Sequence, residues 1–211
     1  MTDQARHKLL IAALKEVPFR GYSDASLQAA AKDAGLPLVE VRRHFPHGPI
    51  SLIEAFSAMA DGEMQECMAS AKESRLRDRI SFAVRARLEA MAPHREAAHR
   101  ATAFLALPQN APLAARLLFE TVDAMWRAAG DQASDFNYYT KRALLAGVYS
   151  STLLHWLNDS SDGNSDTWAF LDARIEDVMK IQKLRGGLEK SLENFPNPMD
   201  VLAGTTKPRG S

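Results

Sequence analysis

Apolar residues recur every three or four positions along almost the whole chain, and the alternation of a half-buried strand occurs over no useful length. Leu9, Leu10, Ala13 and Val17 predict a first helix that Thr2 or Asp3 can cap. "FRGYSD" breaks it. Ser23 or Asp24 caps the next helix, "ASLQAAAKDA", and Gly35 supplies the left-handed residue just beyond its end. "LVEVRRHF" is a short third piece stopped by "PHGP". From Ile50 to about Met91 the pattern predicts two helices divided near "KESRLRD". "APHREAAHRATAFLAL", "APLAARLLFETVDAMWRAAG", "DFNYYTKRALLAGVYSSTLLHW" and "SDTWAFLDARIEDVMKIQKL" complete the set. Pro93, "PQNAP", "GDQASD" and "NDSSDGNSD" punctuate them. The chain shows no internal repeat, and order is expected to fade from Gly186 onward. The expectation is an all-α protein of eight or nine helices, divided into an N-terminal bundle (1–60), a larger helical domain (61–183) and a weakly ordered tail (184–211).

With 211 residues, 46% of them hydrophobic, the chain can bury a sizeable core. Its net charge is zero, so no overall electrostatic pull draws it to nucleic acid or anionic lipid. The single cysteine, Cys67, excludes an internal disulfide and fits a reducing compartment. "MTDQARHKLL" lacks the apolar stretch of a signal peptide, and no run approaches the roughly 18–20 apolar residues of a spanning helix. A soluble, cytoplasmic protein is expected.

"AAAKDAGLPLVEVRRHF" has small residues before a glycine turn and then a short second helix, the layout of a helix-turn-helix. With "GYSD" before it and "FPHGPISLIEAF" after it, the stretch resembles the N-terminal domain of TetR-type repressors. That resemblance implies a TetR-like fold and raises the alternative of a ligand-responsive transcriptional repressor. The residues that would face DNA argue against it. Pro37, Leu38, Val39 and Glu40 stand where the family offers small or hydroxylated groups, and Gly48 stands where it commonly keeps a phosphate-binding lysine. Residues 1–60 hold seven Lys or Arg against six Asp or Glu, a net +1. Phosphate neutralisation supplies much of DNA affinity, so this is a poor footprint and no nucleic-acid partner is expected.

Nothing in the pattern is catalytic. His44 and His47 flank a helix end, His94 and His99 lie apart from any thiol or carboxylate cluster, and His7 and His155 are isolated, which is not zinc-site spacing. A glycine-rich phosphate loop would need a preceding strand. Glu176 and Asp177 are adjacent, so they point about 100° apart on a helix and cannot share a substrate atom. No enzyme activity, metal or cofactor is expected.

Between Ile80 and Trp126 the apolar residues are large and often flexible: Phe82, Leu88, Met91, Phe104, Leu105, Leu117, Leu118, Val122, Met125 and Trp126. Leu144 and Val148 continue the series on the following helix. Spacing alone allows these residues to be plain core or the walls of a ligand pocket. The TetR-like resemblance implies a pocket between such helices, and the scarcity of charge implies a long apolar ligand.

The second half is more specific. Leu107-Pro108, Val122-Asp123 with Trp126, Gly130-Asp131, Asp135 to Tyr139 with Arg142, and Asp166 to Arg174 together resemble the Coq-nine family of ubiquinone biosynthesis. The similarity reaches from the N-terminal helices to about Met179. It implies a non-enzymatic protein of TetR-like fold that binds isoprenoid quinone intermediates, or a phospholipid, and presents them to the di-iron demethoxyubiquinone hydroxylase. The family often has tryptophan where this chain has Tyr138. Asp135, Tyr138, Tyr139 and Arg142 fall at i, i+3, i+4 and i+7, one contiguous patch of the residue types that dominate interfaces. The resemblance implies that the hydroxylase binds there. Trp168, Leu171, Ile175 and Val178 form a stripe suited to a homodimer or to packing within one chain. Leu184, Leu188, Leu192 and Phe195, with Lys183, Arg185 and Lys190 around them, outline an interfacial helix weakened by Gly186 and Gly187, or a frayed tail with one apolar contact; the family resemblance implies that it touches a membrane surface transiently. The expected location is cytoplasmic and peripheral at the bacterial inner membrane surface.

Overall fold

The computed structural model of the chain describes residues 2–71, 75–131 and 136–193, with side chains over 4–71, 75–131 and 138–180. Among the described residues the elements are nine α-helices, joined in three places by short 3-10 turns, with no strand. They are α1 (Thr2–Arg20), α2 (Asp24–Ala34), α3 (Leu38–His44), α4 (Pro49–Ala69), α5 (Leu76–Met91), α6 (Arg95–Leu105), α7 (Ala111–Ala128), α8 (Phe136–Asn158) and α9 (Ser165–Glu193).

The local signals act as their chemistry requires. Ser23 Oγ accepts from the Ser26 amide while Ser26 Oγ accepts from the Ser23 amide, so two donors at the start of α2 are satisfied reciprocally. Gly35 closes α2 at φ 66°, where its amide reaches back to Ala31 and Lys32. Gly48 also has positive φ (56°), and a Cβ there would lie 3.1 Å from Asp24 Oδ1. Glycine at 48 thus answers a backbone need, which a lysine could not meet without strain. Pro49 then opens α4 at a position where its missing N–H costs nothing.

Leu9, Ala13, Leu14 and Val17 bury one face of α1, which packs along α2, α4 and α6. Helix α4 lies against α5 and α7, and α8 contacts α5, α6 and α7. Residues 1–172 gather into one compact unit, and the expected division at residue 60 falls inside the continuous helix α4. A second unit begins at Ala173, and its described part is the remainder of α9.

Helix α9 continues across Gly186 and Gly187 to Glu193, whereas fading was expected at Gly186. Two glycines cost about 1 kcal/mol each in a helix, and the Leu, Lys, Arg and Glu residues around them are strong helix formers. Side chains of the expected membrane-touching stripe lie outside the described residues.

Candidate functional site

An apolar cavity of about 190 Å³ opens within the 1–172 unit. Ile53 and Phe56 of α4, Met91 of α5, Leu105 of α6, Leu117 and Leu118 of α7, and Leu153 of α8 supply its bulky walls. The space itself exists because Ala98, Ala101, Ala114 and Ser150 stand where larger side chains would fill it. Of the residues expected to bind lipid, Met91, Leu105, Leu117 and Leu118 line the cavity. Phe104 packs beside it on the Ile53–Ala101–Leu117 cluster.

The other expected lipid contacts lie elsewhere. Leu88, Val122 and Met125 are completely buried core residues and Val148 is buried, while Phe82, Trp126 and Leu144 are half-buried away from the cavity lining. A helical stripe reports which face is covered, but not whether neighbouring atoms or empty space cover it.

Sequence reasoning missed the polar cluster on the cavity wall. Arg87 of α5, almost wholly buried, donates from Nε to Asp61 Oδ1 (2.6 Å), from Nη2 to Ser57 Oγ (3.0 Å) and from Nη1 to the Tyr149 hydroxyl. Thr121 Oγ1 donates to the other Asp61 oxygen at 3.2 Å. Burial opposes charge on Arg87, but Tyr149 and Asp61 more than offset it and keep the guanidinium pKa raised. Burial pushes the Tyr149 phenol up as well, so it stays protonated. One signal was legible: Arg87 shares its helix face with Ala83, Val84 and Met91, all buried, and a charge on such a face needs a partner.

The polar start of α8 resolves differently from the expected patch. Arg142 is only 3% exposed, and its Nε donates to Asp123 Oδ1 of α7 at 2.7 Å. The Tyr138 hydroxyl donates to the same oxygen at 2.9 Å, and the Arg142 guanidinium lies 3.3 Å from the Tyr138 ring centroid. Arg127 binds the second Asp123 oxygen at 2.5 Å. Lys141 and Arg142 also approach Asp131, at 2.9 and 3.7 Å. Tyr138 and Arg142 are thus turned onto α7, and a contiguous four-residue surface patch is not what the fold presents. Tyr139 remains 70% exposed, with its ring edge-on to Tyr138 at 5.1 Å. Asp135 lies outside the described residues.

In the helix-turn-helix region, α3 turns Leu38 (53% exposed) and Val39 (68%) to solvent. Glu40 draws Arg43 to 3.8 Å and His44 to 3.5 Å, occupying one of the two arginines that could reach a phosphate. No group of three or more His, Cys, Asp or Glu stands ready for a metal among the described residues. No helix among them is long and apolar enough to cross a membrane. Leu171 of the expected dimer stripe is already buried, Trp168 is half-buried with its indole N–H on the Gly163 carbonyl, and Ile175 is buried.

Residues 111–182 match the COQ9 family model. The chain is 37% identical over 188 residues to ubiquinone biosynthesis protein COQ9, mitochondrial, of Rattus norvegicus, covering 85% of this chain and 60% of that protein. The Drosophila melanogaster protein of the same name is 32% identical over 92% of this chain and 61% of its own length. The Homo sapiens protein is 34% identical over 85% and 59%. The chain therefore spans about three fifths of the length of these relatives. Its backbone also superposes on the crystal structure of the TetR transcriptional regulator from Nitrosomonas europaea, with a TM-score of 0.64 and 20% identity over 81% of this chain and 95% of that one. At that identity the likeness concerns the fold alone, and the fold is TetR-like and all-α.

Proposed function

Because this chain is a homologue of the COQ9 proteins of ubiquinone biosynthesis, we propose that it is a non-catalytic, lipid-binding accessory protein of that pathway. It holds an isoprenoid quinone intermediate, or a phospholipid in its place, and presents the quinone to the di-iron demethoxyubiquinone hydroxylase. The observation that carries this reading is the apolar cavity between α4, α5, α6, α7 and α8. Apolar burial stabilises by about 25 cal/mol per Å², so an isoprenoid tail binds without a charged anchor. Among the described residues of the α8 cluster, exposed Tyr139 is the docking anchor.

A homodimer, a transient contact with a membrane surface and a cytoplasmic position at the bacterial inner membrane complete the proposal. The relatives themselves are named as mitochondrial proteins. The rival reading, a TetR-type repressor, is disfavoured by the apolar, Glu40-bearing surface of α3.

Native mass spectrometry of the purified protein, followed by lipid extraction, tests the reading. A bound isoprenoid or phospholipid is the expected result. Ligand-free protein that takes up no lipid, yet binds DNA tightly, would overturn it in favour of the repressor.

A further inference from the structure

The cavity wall is mostly apolar; besides Thr102 and Ser150, its polar lining residues are Arg87, Ser57, Thr121 and Tyr149, which hydrogen bonds of Arg87 and Asp61 link into one cluster. The charge there is already balanced, because Arg87 Nε lies 2.6 Å from Asp61 Oδ1 with both side chains largely buried. A second anion would give up its hydration for a cation that has a partner, beside a carboxylate that repels it. The two hydroxyls are in a different position. Ser57 Oγ and the Tyr149 oxygen both accept from Arg87, so each keeps its own O–H. Thr121 spends its O–H on Asp61, but among the described residues no acceptor takes the proton of Ser57 or Tyr149. Accepting from a guanidinium polarises an O–H and makes it a better donor. Tyr149 is buried and Ser57 half-buried, a donor left without an acceptor is costly where water is excluded, and both residues line the cavity.

Resting on the reading that this cavity holds a lipid, we propose that its polar cluster selects ligands by an uncharged hydrogen-bond acceptor, a carbonyl or ether oxygen taken by the hydroxyls of Tyr149 and Ser57. A quinone carbonyl meets that requirement. A free carboxylate or phosphate does not. Arg87 and Asp61 act as positioning residues: Arg87 fixes both oxygens from behind, and Asp61 holds Arg87 in place and cancels its charge.

Three probes separate the possibilities by isothermal titration: octanophenone, octylbenzene with a methylene in place of the carbonyl, and 4-heptylbenzoate. Tyr149→Phe should weaken octanophenone about tenfold, and Ser57→Ala several-fold, while octylbenzene changes by less than about twofold in both. Ser57→Ala keeps the test open if the Tyr149 variant is unstable, and circular dichroism checks the fold of each. Octanophenone losing no more than octylbenzene in both variants would overturn the proposal while leaving the lipid cavity standing. So would 4-heptylbenzoate binding the wild type more tightly than octanophenone. If octylbenzene itself fails to bind the wild type, the cavity reading falls and this inference with it.

Discussion

Arg142 Nε lies 2.7 Å from Asp123 Oδ1, joining the second turn of α8 to the middle of α7 through an ion pair with both side chains less than a tenth exposed. The Tyr138 hydroxyl completes the pair, and its ring lies against the guanidinium. The aromatic, charged opening of a helix that goes on to fill a core is therefore mostly a clamp between two helices. Among the described residues of that opening, Tyr139 stays mostly exposed and free to meet something else.

Breaking that clamp from one side should be expensive. Arg142→Ala leaves a buried carboxylate short of its main partner, for which about 3–5 kcal/mol of destabilisation is expected. Urea denaturation followed by circular dichroism measures it. A loss under about 1 kcal/mol would mean that Arg127 and solvent suffice to satisfy Asp123.

Tyr139→Ala should behave in the opposite way. Its side chain is mostly exposed, so stability should stay within about 0.5 kcal/mol of wild type. Capture of the hydroxylase should weaken by about 2 kcal/mol, roughly thirtyfold, in a quantitative pull-down. Wild-type capture by a folded variant would remove Tyr139 from the docking surface.

The Asp123 carboxyl sets an acid limit. Burial alone would raise its pKa, but hydrogen bonds from Arg142 and Tyr138, with the charges of Arg142 and Arg127, hold it below the ordinary 3.8. A carboxyl depressed in the folded state contributes fully above its unfolded pKa, and that contribution is lost as pH falls through the folded value. Urea midpoints should therefore fall steeply below about pH 4, and Asp123→Asn should flatten that limb while lowering the midpoint at neutral pH. Parallel acid limbs for the two proteins would assign the loss to other carboxylates.

Filling the cavity tests it without charging the core. Met125 is completely buried away from the lining, so Met125→Asp would unfold the protein and say nothing about ligand. Ala114 is half-buried on the lining, and Ala114→Phe places a ring in the space. Co-purified lipid should drop about tenfold or more by mass spectrometry while the helical signal is retained. Unchanged lipid in the folded variant would move the binding site elsewhere.

DNA binding should fail. With Leu38 and Val39 outward and Glu40 occupying Arg43, a low-salt gel shift with the protein's own upstream region should show no sequence-dependent complex. Tight, sequence-selective retardation there would restore the repressor reading.

Helix order was legible because helical period, caps and glycine stops are local properties. Ser23, Gly35 and Pro49 act where they stand, whatever packs around them. Helix α9 runs on across Gly186 and Gly187, because the strong helix formers beside them offset a propensity cost of about 1 kcal/mol each. The family resemblance was legible for a related reason, since ordered strings such as Val122-Asp123 and Asp166 to Arg174 are properties of the sequence itself.

The sequence by itself therefore determined the helices, the apolar face of each and the relatives of the chain. Only the tertiary structure decided which apolar residues bound an empty volume. Leu117 and Met125 carry the same helical signature on α7, yet one faces the cavity and the other faces atoms. A cavity is an absence, set by the small side chains of Ala98, Ala101 and Ala114 across several helices, and periodicity along one helix cannot record it. Charge pairing is decided in the same way. Arg142 reads as a surface residue until α7 brings Asp123 beneath it, because a partner 19 positions away in the chain is supplied by packing and not by spacing.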